Sequence, residues 1–185
     1  MIKLNFGAGP YPIEGWINVD LDLRSRPQVV ADLRKHLPFT AACADFIHTE
    51  DFIAQLYPDQ LRAFLAECRR ILKPEGAMRV LTPDLARFAR MYLEEPERLV
   101  DIWNRFVGVP LVTGTACEVF NVGMQHAGAG RFQYDAGTFA SIASTAGFDT
   151  SSVKYNESRF PELRDLDLRR PDEAVSMYLE CIPRR

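Results

Sequence analysis

The sequence predicts an α/β domain built on a mainly parallel sheet that closes with an antiparallel strand. Three observations predict it. Short apolar segments alternate with stretches of helical periodicity, the pattern of strands joined by crossovers that cover a sheet. The first apolar segment runs straight into Gly7-Ala8-Gly9-Pro10, where the backbone must turn sharply. The last two strand-like segments, residues 152–156 and 174–182, are joined by a polar connection without a helix, which favours an antiparallel pair at one edge.

The elements follow in order. Strands are expected at residues 2–6, 16–19, 28–31 and 45–48, the second and third ending at Asp20 and Asp32. The clearest helix comes next. Leu61, Phe64, Leu65, Cys68, Ile71 and Leu72 fall on one face with a 3.6-residue period, Asp59 is the expected N-cap, and Pro74 and Gly76 stop the helix. A fifth strand is expected at 77–81. Residues 84–106 read as helical with a break at Pro96, and residues 108–130, rich in Gly and Thr, read as a long loop. A helix at 137–146 is capped by Asp135 and closed by Gly147. The chain is expected to form a single domain over residues 1–185, with 85–134 as a helical and loop cover segment.

Composition narrows the function. With 185 residues the chain can bury one sizeable core, and 47% hydrophobic with 25% charged residues is ordinary for a soluble domain. A net charge of -3 gives no strong nucleic-acid signal. No apolar run is long enough to span a bilayer, and the N-terminus enters a strand without a secretory signal, so a cytoplasmic protein is expected. Cys43, Cys68, Cys117 and Cys181 form no C-x-x-C pair and have no histidine at ligand spacing, so reduced thiols and no metal are expected.

The chemistry concentrates at strand ends. A glycine turn after a parallel strand lets a nucleotide-like ligand approach the main chain. Asp20, the first polar residue after the second strand, can accept hydrogen bonds from two ribose hydroxyls. Asp22 is its neighbouring candidate. Asp32, followed by Leu33 and soon by Leu37-Pro38-Phe39, can accept from an adenine amino group with apolar residues packed on the ring.

The order of these motifs resembles a class I S-adenosylmethionine-dependent methyltransferase, of the small predicted type, over nearly the whole chain. The resemblance is carried by KLNFGAG, GWINVDLD, ADLRKHLPF, ADFIHTEDFIAQL, LAECRRILKPEGAMRVLTPDL, FQYDAGTFASIASTAGF and SMYLECIPR, with the LKPEG turn its most specific part. It implies a Rossmann-like sheet of seven strands with an antiparallel last strand. It also implies S-adenosylmethionine as cofactor, held by Phe6, Gly7, Ala8 and Gly9, with its ribose on Asp20 and its adenine near Asp32 and Leu33. His48, Thr49 and Glu50 would then face the methionine end. The chain departs from the family in places. Pro10 and Tyr11 follow Gly9 where a third small residue is usual. Nine residues, Gly7 to Gly15, separate the first two strands, too few for a full crossover helix, and no helix precedes strand one. Where relatives carry a His and then a Glu-His pair after strand four, this chain has Asp51, Ala54 and Gln55.

Methyl transfer to an oxygen or nitrogen of a small molecule or glycan-like acceptor is the leading expectation. Its main demand is alignment and exclusion of water. His126, in the Gly-rich segment, is the first candidate base, and Asp84 could orient an acceptor, although it equally suits an N-cap. Tyr134 and Trp103 could line the acceptor site or belong to the core. A homodimer could close the pocket mouth. One alternative is a non-catalytic binding or assembly module on the same fold. Another, a nicotinamide-dependent oxidoreductase, is disfavoured: the third glycine of its motif is Pro12 here, and Asp20 comes too soon.

Overall fold

The computed structural model describes residues 1–125, 130–170 and 175–184. Its centre is a seven-stranded sheet in the order β3-β2-β1-β4-β5-β7-β6. The strands are β1 (Lys3–Phe6), β2 (Ile17–Asp20), β3 (Val29–Val30), β4 (Ala44–Glu50), β5 (Leu72–Pro83), β6 (Phe148–Ser152) and β7 (Ser176–Pro183). The first five are parallel, and β7 runs antiparallel between β5 and β6. This is the mainly parallel sheet with an antiparallel last strand that the sequence predicts.

Alternation along the strands splits the sheet into two unlike faces. One face is apolar: Leu4, Phe6, Val19, Ile47, Met78, Val80, Leu179 and Cys181 form the main core with α1 (Pro58–Ile71) and α5 (Ala136–Thr145). The helix α1 buries Leu61, Phe64, Leu65, Cys68 and Ile71. Each of its larger apolar side chains contributes about 1.5–3 kcal/mol by leaving water. Its start is two residues earlier than expected, with Tyr57 rather than Asp59 at the N-cap. Pro58 occupies the first turn, where its missing N–H costs nothing, and the Tyr57 N–H donates to Gln60 Oε1 at 3.0 Å. Asp59 therefore sits inside the first turn and is not the cap.

The opposite face carries a polar row in register across the sheet: Asn18, Asn5, His48, Arg79, Glu180 and Ser151. The link between β1 and β2 holds no helix; its Ile13 and Trp16 fold over this face. The rest of the cover comes from the connection between β6 and β7. Phe160, Leu163 and Leu166 pack there with Trp16, Phe46 and Ala77. Arg79, fully buried, fixes that connection from below. It pairs with Asp167 (Nε to Oδ1 3.0 Å) and Glu180 (3.4 Å) and donates to the carbonyls of Glu157 and Lys154.

Beyond β5 lie α2 (Leu85–Glu94), α3 (Pro96–Ile102) with a π-helical turn over Trp103–Val107, and α4 (Ala116–Met124). Leu99, Trp103 and Val119 form their own small core. The helix α4 lies inside the stretch expected to be loop. Thr115 caps it by accepting the Glu118 N–H at 3.2 Å, and Val119 supplies the buried contact. The strand β6 begins at Phe148, four residues before the expected one, because buried Phe148 anchors it directly after Gly147 ends α5. Among the described residues no helix is long and apolar enough to cross a membrane, and no cluster could hold a metal ion. All four cysteines are free.

Candidate functional site

The turn after β1 is tied to the end of β2. The Gly7 N–H donates to the Val19 carbonyl at 2.9 Å, and Ala8 N–H shares the same acceptor at 3.3 Å. Gly7 has φ +71° and Gly9 has φ +49°, left-handed geometry that suits glycine. The two glycines differ in their surroundings. A Cβ on Gly7 would lie 2.8 Å from Phe52 Cβ, so Phe52 closes that side. A Cβ on Gly9 would meet nothing nearer than the Gly7 carbonyl at 4.0 Å. The protein thus explains the missing side chain at Gly7 and leaves open room at Gly9.

Asp20 organises this corner. Its Oδ2 accepts the Gly9 N–H and its Oδ1 the Asp22 N–H, both at 2.8 Å. Each carboxylate oxygen retains a second lone pair. Asp22 is engaged elsewhere: Arg24 pairs with it at 2.7 Å and holds its carboxyl down to about 2. Asp32 follows β3 on the same sheet edge, where the Ala31 N–H donates to the Asp20 carbonyl at 3.1 Å. Arg34 grips the Asp32 carboxylate at both oxygens, 2.8 and 2.9 Å, and lowers its pKa. Tyr11, Leu21, Leu23 and Val30 are large apolar residues left exposed on the turn or near these strand ends.

The end of β4 lies on the other side of the glycine turn. Phe6 is in register with Thr49, so the next residue, Glu50, stands beside Gly7. Glu50 accepts the Leu168 N–H at 3.2 Å and the Arg169 N–H at 2.9 Å. Burial pushes its carboxyl up to about 7, with neighbouring Asp51 adding to the rise and the two N–H bonds opposing it. Asp51 has φ +57° and meets Arg169 at 3.1 Å.

The structure therefore gathers Gly7, Ala8, Gly9, Asp20, Asp32 and Glu50 at one edge. It does not bring the other four expected cofactor residues there. Phe6 and Leu33 are core residues, and Thr49 is buried on the apolar face. His48 is buried in the polar row, its Nδ1 3.3 Å from Asn5 Oδ1. Burial, then Arg79, hold its pKa down to about 3. Asp84 N-caps α2, accepting from Ala86 N at 3.0 Å and lying 3.4 Å from Arg87 Nε. His126 lies outside the described residues. Tyr134 donates its hydroxyl to the Leu56 carbonyl, and Trp103 donates to Val109, so both serve packing. Sequence reading missed Arg34, Phe52 and Arg169. The first had a signal: Asp-Leu-Arg occurs at 22–24 and again at 32–34, a spacing that lets Arg fold back on Asp.

Comparison with known proteins adds to this geometry. Residues 16–80 match the family model described as a methyltransferase domain. No curated protein matches the chain. Among solved structures, an S-adenosylmethionine-dependent methyltransferase from Methanosarcina mazei aligns at TM-score 0.59 and 12% identity, covering 99% of this chain and 92% of its own. A TehB-like S-adenosylmethionine-dependent methyltransferase from Corynebacterium glutamicum aligns at TM-score 0.53 and 15% identity, covering 98% and 79%. A putative methyltransferase from Haloferax volcanii, solved in complex with the Trm112 activator, aligns at TM-score 0.55 and 12% identity, covering 100% and 82%. At such identities the likeness shows a shared fold. The chain thus shares the fold of these methyltransferases, and its residues 16–80 match a methyltransferase domain.

Proposed function

We propose that the chain transfers a methyl group from S-adenosylmethionine to an oxygen or nitrogen of a small molecule or glycan-like acceptor. The observation that carries this reading is the corner at Asp20, whose carboxylate fixes the Gly9 N–H beside a side of Gly9 that no atom of the described residues fills. The residues fit the adenosyl part of the cofactor. Asp20 has lone pairs left for ribose hydroxyls, and exposed Leu21, Leu23 and Val30 offer apolar surface for a purine. Asp32 completes the adenine side once Arg34 shares it. When bound, the cofactor supplies a sulfonium methyl that is already electrophilic. The protein's part is to orient it through Asp20 and the glycine turn and to keep water away. Glu50, at the end of β4, is the acidic group nearest the methionine side of that turn, and His126 is retained as the candidate base for a hydroxyl acceptor. Asp84, engaged as a cap, positions α2 rather than the acceptor.

Titration calorimetry with S-adenosylmethionine and S-adenosylhomocysteine tests the reading. Binding by the wild type, weakened tenfold or more by Asp20→Ala with the fold intact by circular dichroism, supports it. A second reading, a non-catalytic module on the same fold, is favoured by Phe52 over Gly7 and Arg34 on Asp32. Absence of binding of either nucleoside by the wild type would overturn the first reading in favour of this one.

A further inference from the structure

The connection between β6 and β7 does more than cover the polar face. At residues 167–169 it crosses the C-terminal end of β4, beside the glycine turn. Its two ends are held differently. Asp167 is fully buried and locked: it pairs with Arg79, accepts the Asn156 N–H at 2.7 Å and returns its own N–H to Asn156 Oδ1 at 2.8 Å. The next two residues hang on acidic groups of the strand end. Leu168 and Arg169 give their N–H groups to Glu50, and the Arg169 side chain reaches Asp51 at 3.1 Å and Ser176 Oγ at 3.1 Å. Leu168 itself is exposed, and the buried Tyr178 side chain donates its hydroxyl to the Arg169 carbonyl.

We propose that residues 167–169 form a strap, anchored at Asp167 and latched at Glu50 and Asp51, that closes the β4 side of the ligand crevice and opens by releasing Glu50 to water. Open α/β sheets bind ligands where the strand order reverses, here between β1 and β4, and Glu50 stands beside Gly7 at that point. The closed strap therefore occupies the space through which a methyl acceptor would approach. That consequence rests on the proposed function; the opening itself does not.

The latch responds to pH. Among the described residues, the charged groups facing Glu50 include Asp51 on its own strand end and Arg169 on the strap, with the Tyr178 hydroxyl on β7. Burial is the largest effect and favours the neutral acid in the closed form, with a pKa of about 7 against an ordinary 4.5. Opening hydrates Glu50 and releases a proton, so opening becomes easier as pH rises between those values and levels off above them.

Amide hydrogen exchange on the whole chain, read by NMR at Leu168 and Arg169 and divided by the intrinsic rate, measures the opening without any ligand. From pH 5 to pH 7.5 the strap opens about tenfold more often or better in the wild type. Glu50→Gln removes that dependence, and Arg169→Gln raises opening at both pH values while keeping it. The Ile47 amide, inside β4, reports global unfolding and must exchange more slowly. Protection at 168 and 169 that equals that of Ile47 at both pH values, or that ignores pH in the wild type, overturns the proposal. S-adenosylhomocysteine binding plays no part in this test, so its failure and that of the methyltransferase reading remain distinct.

Discussion

His48 and Glu50 stand two residues apart on one face of β4, and burial moves them in opposite directions. The imidazole is held down to about 3, by burial first and by Arg79 second, and the carboxyl is pushed up to about 7, by burial first. The signs oppose each other. Unfolding exposes His48, which then takes a proton near 6.5, so its contribution to stability is lost as pH falls from 6.5 toward 3. Folded Glu50 keeps a proton that the unfolded chain releases near 4.5, so its contribution is present below 4.5 and lost as pH rises through about 7.

Between pH 5 and 7.5 each effect is worth about 2 kcal/mol, and in the wild type they offset one another. Urea denaturation across that window is therefore expected to give a nearly level curve. Glu50→Gln uncovers the histidine, and its stability falls on acidification. His48→Gln uncovers the acid, and its stability rises on acidification. Two variant curves parallel to the wild type would show that neither group is shifted as the structure implies.

Arg79 is the centre of the second prediction. It is buried without water contact between Asp167 and Glu180, and it holds the carbonyls of Lys154 and Glu157. Arg79→Met strands two carboxylates in the sheet's polar face and is expected to cost about 3–5 kcal/mol. Asp167→Asn keeps the shape and one acceptor, and is expected to cost roughly 1–3 kcal/mol. Equal costs in chemical denaturation would contradict a network centred on the arginine.

The same arginine shows where sequence reading stops. The parallel-then-antiparallel pattern of the strands, the glycine corner and the acidic strand ends were legible because they follow from local rules: period, turn residues, and the first polar residue after an apolar run. Arg79 is the one charged residue of the apolar run 77–81, and its partner Asp167 is 88 positions away. Nothing local links the two. Phe52 over Gly7 is hidden for the same reason, and so is the contact of Glu50 with residues 168 and 169. His48 follows an apolar strand and reads as a strand-end ligand, but β4 runs two residues further, to Glu50, and encloses it. Helix α4 was obscured by the glycines and threonines around it, although Thr115 followed three residues later by Glu118 is a capping signature.

The two glycines of the corner separate stability from binding. Gly7→Ala places a methyl 2.8 Å from Phe52 Cβ at a positive φ, so it is expected to cost about 2–4 kcal/mol. Gly9→Ala meets only open space and bears the backbone penalty alone, about 1 kcal/mol. Thermal melts followed by circular dichroism rank the pair. Calorimetry with S-adenosylhomocysteine should then show Gly9→Ala binding more weakly than its small stability loss would suggest. Unchanged affinity in Gly9→Ala would mean that the open side of Gly9 receives no ligand.

Arg34 provides the last prediction, because it and an adenine amino group would compete for one carboxylate. The arginine is about half exposed, at 46%, whereas Asp32 is 17% exposed, so the pair lies at the surface and is worth about 1 kcal/mol or less to folding. Arg34→Ala should leave the melting temperature almost unchanged. It should also free both Asp32 oxygens and tighten S-adenosylhomocysteine binding by roughly threefold to tenfold, the equivalent of about 1 kcal/mol. Asp32→Asn in the same background should reverse the gain. Weaker binding after Arg34→Ala would mean that the ion pair shapes the turn rather than masking a ligand group, and Asp32 would then leave the proposed adenosyl site.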